Sequence, residues 1–203
     1  MSNPMVNYSD IIQDTVSKHW NVCDEFKDNL LVDNQAICKR EALPFAVGII
    51  NVAGDLNVGM MIRTASLLGA EAVHIFGRKK FDKRSTVGAE NYIDIVHHVY
   101  AGTLDPICDD LIIDDIQELL YEPVLVEQGG IPIGRYLYNG IGNGNIGKPI
   151  FIFGSESHGI PDEILNHFPR RISIPQRGVL RSYNVSAAMS IVCWDYIKTQ
   201  LGG

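Results

Sequence analysis

The chain has 203 residues, a formal net charge of −7 at pH 7, 46% hydrophobic residues and 20% charged ones. That length supports one well-buried core with a short extension, and the composition is that of an ordinary globular protein. No apolar run reaches the ~20 residues of a membrane span, no basic-then-apolar leader opens the sequence, and the acidic balance counts against a general polyanion binder. These features point to the cytoplasm.

Residues 1–43 are polar and mixed. Ile11, Ile12, Val16 and Trp20 are spaced like one helix face, and a weak second helix is expected over about 24–41, with Phe26, Leu30 and Leu31 apolar. This part reads as a helical N-terminal extension, 1–43, ahead of one domain, 44–203. From Pro44 the character changes. Phe45-Ala-Val-Gly-Ile-Ile50 is a continuous apolar run of strand length, as a strand buried on both faces requires. A loop follows, and Asn57 is placed to cap a helix over about 58–69 that stops at Gly69. Ala72-Val-His-Ile-Phe76 is the next strand. The loop after it carries Arg78, Lys79, Lys80, Lys83 and Arg84, and Tyr92–Val99 is a third strand.

Residues 103–120 are partly helical and acidic, with Asp109, Asp110, Asp114, Asp115 and Glu118. Pro123–Glu127 is a short strand, and a Gly/Asn-rich stretch leads into Pro149-Ile-Phe-Ile-Phe153, a strongly apolar one. Gly154–Gly159 is a tight turn, and Pro161 opens a short helix. A strand over 171–174 breaks at Pro175, a polar loop follows, and a helix over 184–198 ends the chain, capped by Asn184 or Ser182. Strands and helices alternating at these lengths predict an α/β fold with a mostly parallel sheet flanked by helices.

Several local patterns carry no chemistry. Gly142-Asn-Gly-Asn-Ile-Gly147 fits a dinucleotide-binding expression, but it precedes a strand and Pro149 stops it from opening a helix. Ser155-Glu-Ser157-His-Gly159 lacks the first glycine of a nucleophile elbow, and His167 is the only histidine beyond His158. His97, His98 and His158 form no metal-ligand spacing, so no metal is expected. Cys23, Cys38, Cys108 and Cys193 form no Cys-x-x-Cys pair and read as reduced, mostly buried thiols.

Three other segments are more informative. Asn57 and Gly59 stand at a helix start, where free N–H groups face outward, and Arg63 lies on the same otherwise apolar helix. A lone Arg there either snorkels to solvent or holds an anion. Glu156 sits in a Gly-bounded turn at the carboxyl end of a strand, the edge where open α/β sheets bind ligands. Gln176, Arg177, Gly178, Arg181, Ser182 and Asn184 crowd the loop between the last strand and the last helix.

Together these segments resemble the three motifs of the SpoU (TrmH-type) branch of the SPOUT RNA methyltransferases. They read Asn57-x-Gly59-x-x-x-Arg63-Thr-Ala-x-x-x-Gly69, Phe151-Ile-Phe-Gly154-Ser-Glu156-x-x-Gly159 and Ile174-Pro175-x-x-Gly178-x-x-x-Ser182-x-Asn184-Val-Ser-x-Ala. The resemblance covers roughly residues 44–198. It implies a sheet whose C-terminal segment forms a deep trefoil knot, an exception to unknotted chains. It implies S-adenosylmethionine held by Phe153, Gly154, Glu156, Ile174, Gln176, Ser182 and Tyr183, and methyl transfer to a ribose 2′-hydroxyl in tRNA or rRNA. Homodimers are implied, with Arg63 reaching a site shared between subunits. Asn57, Arg63, Glu156, Ser182 and Asn184 become the catalytic set, and Lys79, Lys80, Lys83 and Arg84 the candidate RNA contact.

By analogy Arg63 is the base or its organiser. Freeing a lone pair on a guanidinium, which stays protonated far above neutral pH, costs roughly 8 kcal/mol, which favours a phosphate clamp and oxyanion stabiliser instead. Tyr183 stands where the family usually has Leu, and Gln176-Arg-Gly with Arg181-Ser182 resembles the third motif of eukaryotic-type guanosine-18 tRNA methyltransferases. A non-catalytic RNA-binding or assembly protein that keeps the knotted fold is the alternative reading.

Overall fold

A computed structural model describes residues 21–51, 56–77, 81–100, 109–136, 138, 147–155 and 158–201. Ile11, Ile12, Val16, Trp20, Arg78, Lys79, Lys80, Cys108, Glu156 and Ser157 lie outside the described residues, as does most of the Gly142–Gly147 stretch.

The apolar runs become the middle of a sheet. Strands β1 (Leu43–Asn51), β2 (Ala70–Gly77), β3 (Asp94–His98), β4 (Glu122–Pro132), β5 (Pro149–Phe153) and β6 (Arg171–Ser173) form six strands in the order β3-β2-β1-β5-β4-β6. Every pairing between them is parallel. β1 is central, with Val47 opposite Val73 on one side and Phe151 on the other.

Alternation along the strands divides the core into two layers. Phe45, Val47, Ile49, Val73, Ile75, Phe151 and Phe153 pack under α2 (Leu56–Leu67) and α5 (Val185–Gln200). Ala46, Ile50, Phe76, Ile150 and Ile152 pack under α3 (Asp109–Glu118) and α4 (Asp162–His167). An aromatic cluster holds the first layer: Tyr196 stands edge-on to Phe45, Phe151 and Tyr138, with ring centroids 5.3 to 5.5 Å apart. Each phenol has a partner, Tyr196 donating to the Pro44 carbonyl at 3.2 Å and Tyr138 to Asp195 Oδ2 at 3.1 Å.

Three features differ from the sequence reading. The extension holds a 3₁₀ turn, Asp24–Phe26, and a shorter helix, α1 (Leu31–Arg40), on which only Asn34 is buried. Cys23 and Cys38 therefore sit exposed on this thin layer, and Cys193 is buried in the core. β4 runs on to Pro132, because Ile131 and Pro132 rejoin the ladder after an irregularity and the strand does not end in a turn. No helix among the described residues is long and apolar enough to cross a membrane.

The second layer also contains a buried histidine. His74 is 5% exposed, and its Nδ1 lies 3.0 Å from His98 Nε2. His98 Nδ1 lies 3.3 Å from Asp115 Oδ2. The His74 ring packs edge-on against Tyr121, whose hydroxyl donates to Glu71 at 3.0 Å. Burial, and then the neighbouring His98, pulls His74 down to about 4. The unfolded chain takes up that proton near 6.5, so stability is complete above about pH 6.5 and is lost as pH falls toward 4, by up to about 3 kcal/mol. His74→Gln should flatten the fall in thermal midpoint between about pH 7 and 4.5 relative to wild type. Equal slopes in a pH series of melting curves would assign the loss to other groups.

Candidate active site

The site is assembled by two helix starts and three strand ends. α2 begins at Leu56, one residue ahead of the expected cap, so Asn57 lies in its first turn, 8% exposed. Asn184 is the N-cap of α5. Its Oδ1 accepts from Ser186 N at 3.0 Å, Ala187 N at 3.4 Å and Ser186 Oγ at 2.6 Å. Its Nδ2 donates to Asn57 Oδ1 at 3.0 Å. One side chain thus caps the last helix and ties the first motif to the third.

Gly59 explains what else rests on α2. A Cβ there would stand 1.9 Å from Ser85 Oγ and 2.7 Å from the Asp82 carbonyl oxygen, so the 3₁₀ turn Lys83–Thr86 lies directly on the helix. Asp82 caps that turn through the Arg84 N–H at 2.9 Å and pairs with the Arg84 guanidinium, whose Nη2 is 2.7 Å from Oδ2. Ser85 Oγ donates to the Asp82 carbonyl at 2.6 Å. The exposed Lys83 and Arg84 are therefore held beside the first motif. Arg63 is exposed on the outer face of α2, in line with Met60 and Leu67.

At the carboxyl ends of β4, β5 and β6 lies a cavity of about 660 Å³. Phe153, Gly154, Ile174, Gln176, Ser182 and Tyr183 all line it, which brings together every described residue expected to hold a cofactor. Phe153 is buried and Tyr183 is 43% exposed. The turn after β5 closes through Ser155 N to Gly159 O at 3.1 Å and Gly159 N to Ser155 O at 2.9 Å. A Cβ on Gly154 would come within 2.1 Å of the Gly159 carbonyl carbon, and Gly159 has φ +68°. Both bounding glycines are therefore required, one by space and the other by its dihedral. Glu156, between them, lies outside the described residues.

The structure does not bring all the expected catalytic residues into that cavity. Arg63, Asn57 and Asn184 are absent from its lining, and Ser182 is part of it. Glu127, Gln128, His158 and Asp162 also line it and were not expected. Asp162 opens α4 just after the second motif, and His158 is one of the unspecified positions in that motif's turn. Glu127 and Gln128 had a legible signal, a polar pair at the carboxyl end of an apolar run, but it reads as an ordinary strand end.

The sequence profile of the SpoU rRNA Methylase family matches residues 44–194. The chain belongs to the SpoU rRNA methylase family. Among solved structures, it is similar to the A. aeolicus TrmH/SpoU tRNA modifying enzyme at TM-score 0.62 and 18% identity, covering 84% of this chain and 82% of that one. It is also similar to the AviRb methyltransferase of Streptomyces viridochromogenes, solved with AdoMet, at TM-score 0.58 and 18% identity, covering 80% and 62% of the two chains. These likenesses establish the shared fold. A mouse tRNA (guanosine(18)-2′-O)-methyltransferase is 34% identical over 56 residues, which are 28% of this chain and 4% of the mouse protein. A tRNA (cytidine(34)-2′-O)-methyltransferase of Burkholderia cenocepacia is 40% identical over 47 residues, 22% of this chain and 30% of that protein. The matches thus span well under half the length of either curated relative.

The two roles of Asn184 can be separated. Asn184→Ser keeps a cap acceptor but is too short to reach Asn57, whereas Asn184→Ala loses both bonds. Urea unfolding should show Ala costing about 2 kcal/mol and Ser about 1. Equal losses would mean that the contact with Asn57 contributes nothing.

Proposed function

We propose that this SpoU-family protein is an S-adenosylmethionine-dependent methyltransferase acting on a ribose 2′-hydroxyl of tRNA or rRNA, working as a homodimer in the cytoplasm. The observation that carries this reading is the convergence of the second and third motif segments on one cavity while Asn184 bonds the first motif to the third. Both curated relatives are named as tRNA 2′-O-methyltransferases, and the family description names rRNA. The proposal takes residues 44–203 as the methyltransferase domain and 1–43 as its extension, with the C-terminal segment threaded as a deep trefoil knot. The placement of β6 outside β4, with β5 inside, supports that path.

The residues fit the donor. A cavity of about 660 Å³ lies within the range of small-molecule sites, roughly 300–1,000 Å³. Phe153, Ile174, Val185 and Ala188 offer apolar walls, and Gln176 and Ser182 offer polar contacts. The side-chain-free Gly154 lets the backbone of the turn approach closely. When bound, S-adenosylmethionine supplies a methyl group already activated as a sulfonium. The chain has then to hold the hydroxyl in line and manage its proton.

Arg63 is assigned to a phosphate clamp that also stabilises charge developing on the hydroxyl oxygen. Glu156 orients Arg63 or Asn57, and Asn184 holds Asn57 in register with the third motif. Arg63 is exposed and does not line the cavity of its own chain. That position supports a site completed across a dimer, with the partner's Arg63 serving it. Met60 and Leu67 on α2 and Ile191 and Trp194 on α5, between 37% and 77% exposed, supply apolar surface for such an interface. Lys83 and Arg84, seated on α2, and Lys79 and Lys80 of the same segment are assigned to RNA phosphates, against a net charge of −7.

Calorimetric titration with S-adenosylmethionine and transfer of labelled methyl to RNA test the reading together. Arg63→Ala should lower transfer by about a hundredfold or more and leave donor affinity within a few-fold. Transfer retained above about a tenth of wild type would remove Arg63 from the centre of the mechanism. Replacing Lys79, Lys80, Lys83 and Arg84 by Ala should flatten the dependence of RNA affinity on salt, as measured by filter binding between low and physiological salt. An unchanged slope would place the RNA on another face.

A further inference from the structure

Strand β4 is interrupted where it passes the cavity. Val126 and Ile131 both pair with Ile172, so Glu127, Gln128, Gly129 and Gly130 leave the ladder between them. The bulge is locked against β6. A Cβ on Gly130 would stand 2.6 Å from the Ile172 carbonyl carbon, and Ser173 Oγ donates to the Gly130 carbonyl at 2.8 Å. A bulge beside a site re-aims side chains that a regular strand would alternate between faces. Here it sends two consecutive side chains to two different loops.

Glu127 reaches the turn of the second motif. Its Oε2 accepts the Ile160 N–H at 3.4 Å and would lie 2.9 Å from a Cβ on Gly159, and its Oε1 accepts the Gln128 N–H at 2.8 Å. Gln128 reaches the loop of the third motif, its Nε2 donating to the Arg181 carbonyl. That loop has little packing of its own, with Val179 101% and Leu180 80% exposed. Its position depends on the Gln128 bond to Arg181 and the Asn184 bond to Asn57. Both Glu127 and Gln128 line the cavity between the two loops.

We infer that Glu127 and Gln128 are a positioning pair that holds the second- and third-motif loops at the spacing the methyl donor needs. The inference rests on the methyl-donor reading. A loop held in place before binding loses less conformational freedom on binding, so the pair acts on donor affinity through order in the unliganded protein. The chemistry at Gln128 is specific, because its target is a carbonyl and the side chain has to donate. Glutamate has the same shape and cannot donate when ionised.

The test pairs two readouts on the full chain. Gln128→Glu and Gln128→Ala should each weaken S-adenosylmethionine about five- to tenfold by calorimetry, and should speed hydrogen exchange at Ser182–Asn184 without ligand. The thermal midpoint should stay within about 2 °C, since Gln128 is exposed. Glu127→Ala should speed exchange at Gly159 and Ile160 instead. Val179→Ser, in the same loop and fully exposed, should change neither readout. Gln128→Glu matching wild type in exchange would overturn the clamp, whatever the donor affinity. Faster exchange in a protein whose wild type binds no S-adenosylmethionine would keep the clamp and overturn the methyl-donor reading.

Discussion

Six strands that all run the same way leave all their carboxyl ends on one edge of the sheet. A parallel ladder also needs both faces covered, because each return of the chain crosses over the sheet. These two requirements explain most of this protein. The covered faces demand uniformly apolar runs such as Phe45–Ile50 and Pro149–Phe153, which are buried throughout. The shared edge means that the turn after β5, the bulge in β4 and the loop after β6 emerge side by side. The cavity lies where they meet.

The edge would be only a set of loops without the contacts that fix their spacing. Most of these contacts are made by backbone coming very close to backbone or to small side chains. Gly59 admits the Lys83–Thr86 turn onto α2, and Gly154 lets the second-motif turn fold onto Gly159. Polar side chains then add direction. Asn184 joins two helix starts, Glu127 holds the turn, and Gln128 holds the loop. Each bond is worth only about 1 kcal/mol, but each acts on a segment with few other anchors.

Charge is distributed in the same local way. The body is acidic, with a net charge of −7, and α3 begins with Asp109 and Asp110. Lys83 and Arg84 are set on the opposite layer, beside the first motif, and Asp82 both caps their turn and pairs with Arg84. The turn that carries Lys83 and Arg84 lies on the same helix as Arg63. Local placement of this kind is compatible with RNA as a partner even where overall charge argues against it.

Much of this was legible in the residues. Doubly buried strands declare themselves as unbroken apolar runs, and helix starts declare themselves by Asn and Gly, because these patterns follow from burial and hydrogen bonding within a few residues. The α/β class and the helix-start positions of Asn57 and Asn184 came from that level, whereas the cavity residues Phe153, Gly154, Ile174, Gln176, Ser182 and Tyr183 came from the resemblance to the SpoU motifs. What could not be read locally was whatever depends on two distant segments meeting. The sequence does not show that Asn57 accepts from Asn184, that Gly59 is the seat of Ser85, or that Glu127-Gln128-Gly129-Gly130 bulges out of β4 and does not end it. The physical reason is register. Local chemistry chooses a strand, a turn or a cap, but only the assembled sheet decides which strand ends lie next to each other and which side chains can reach across the gap.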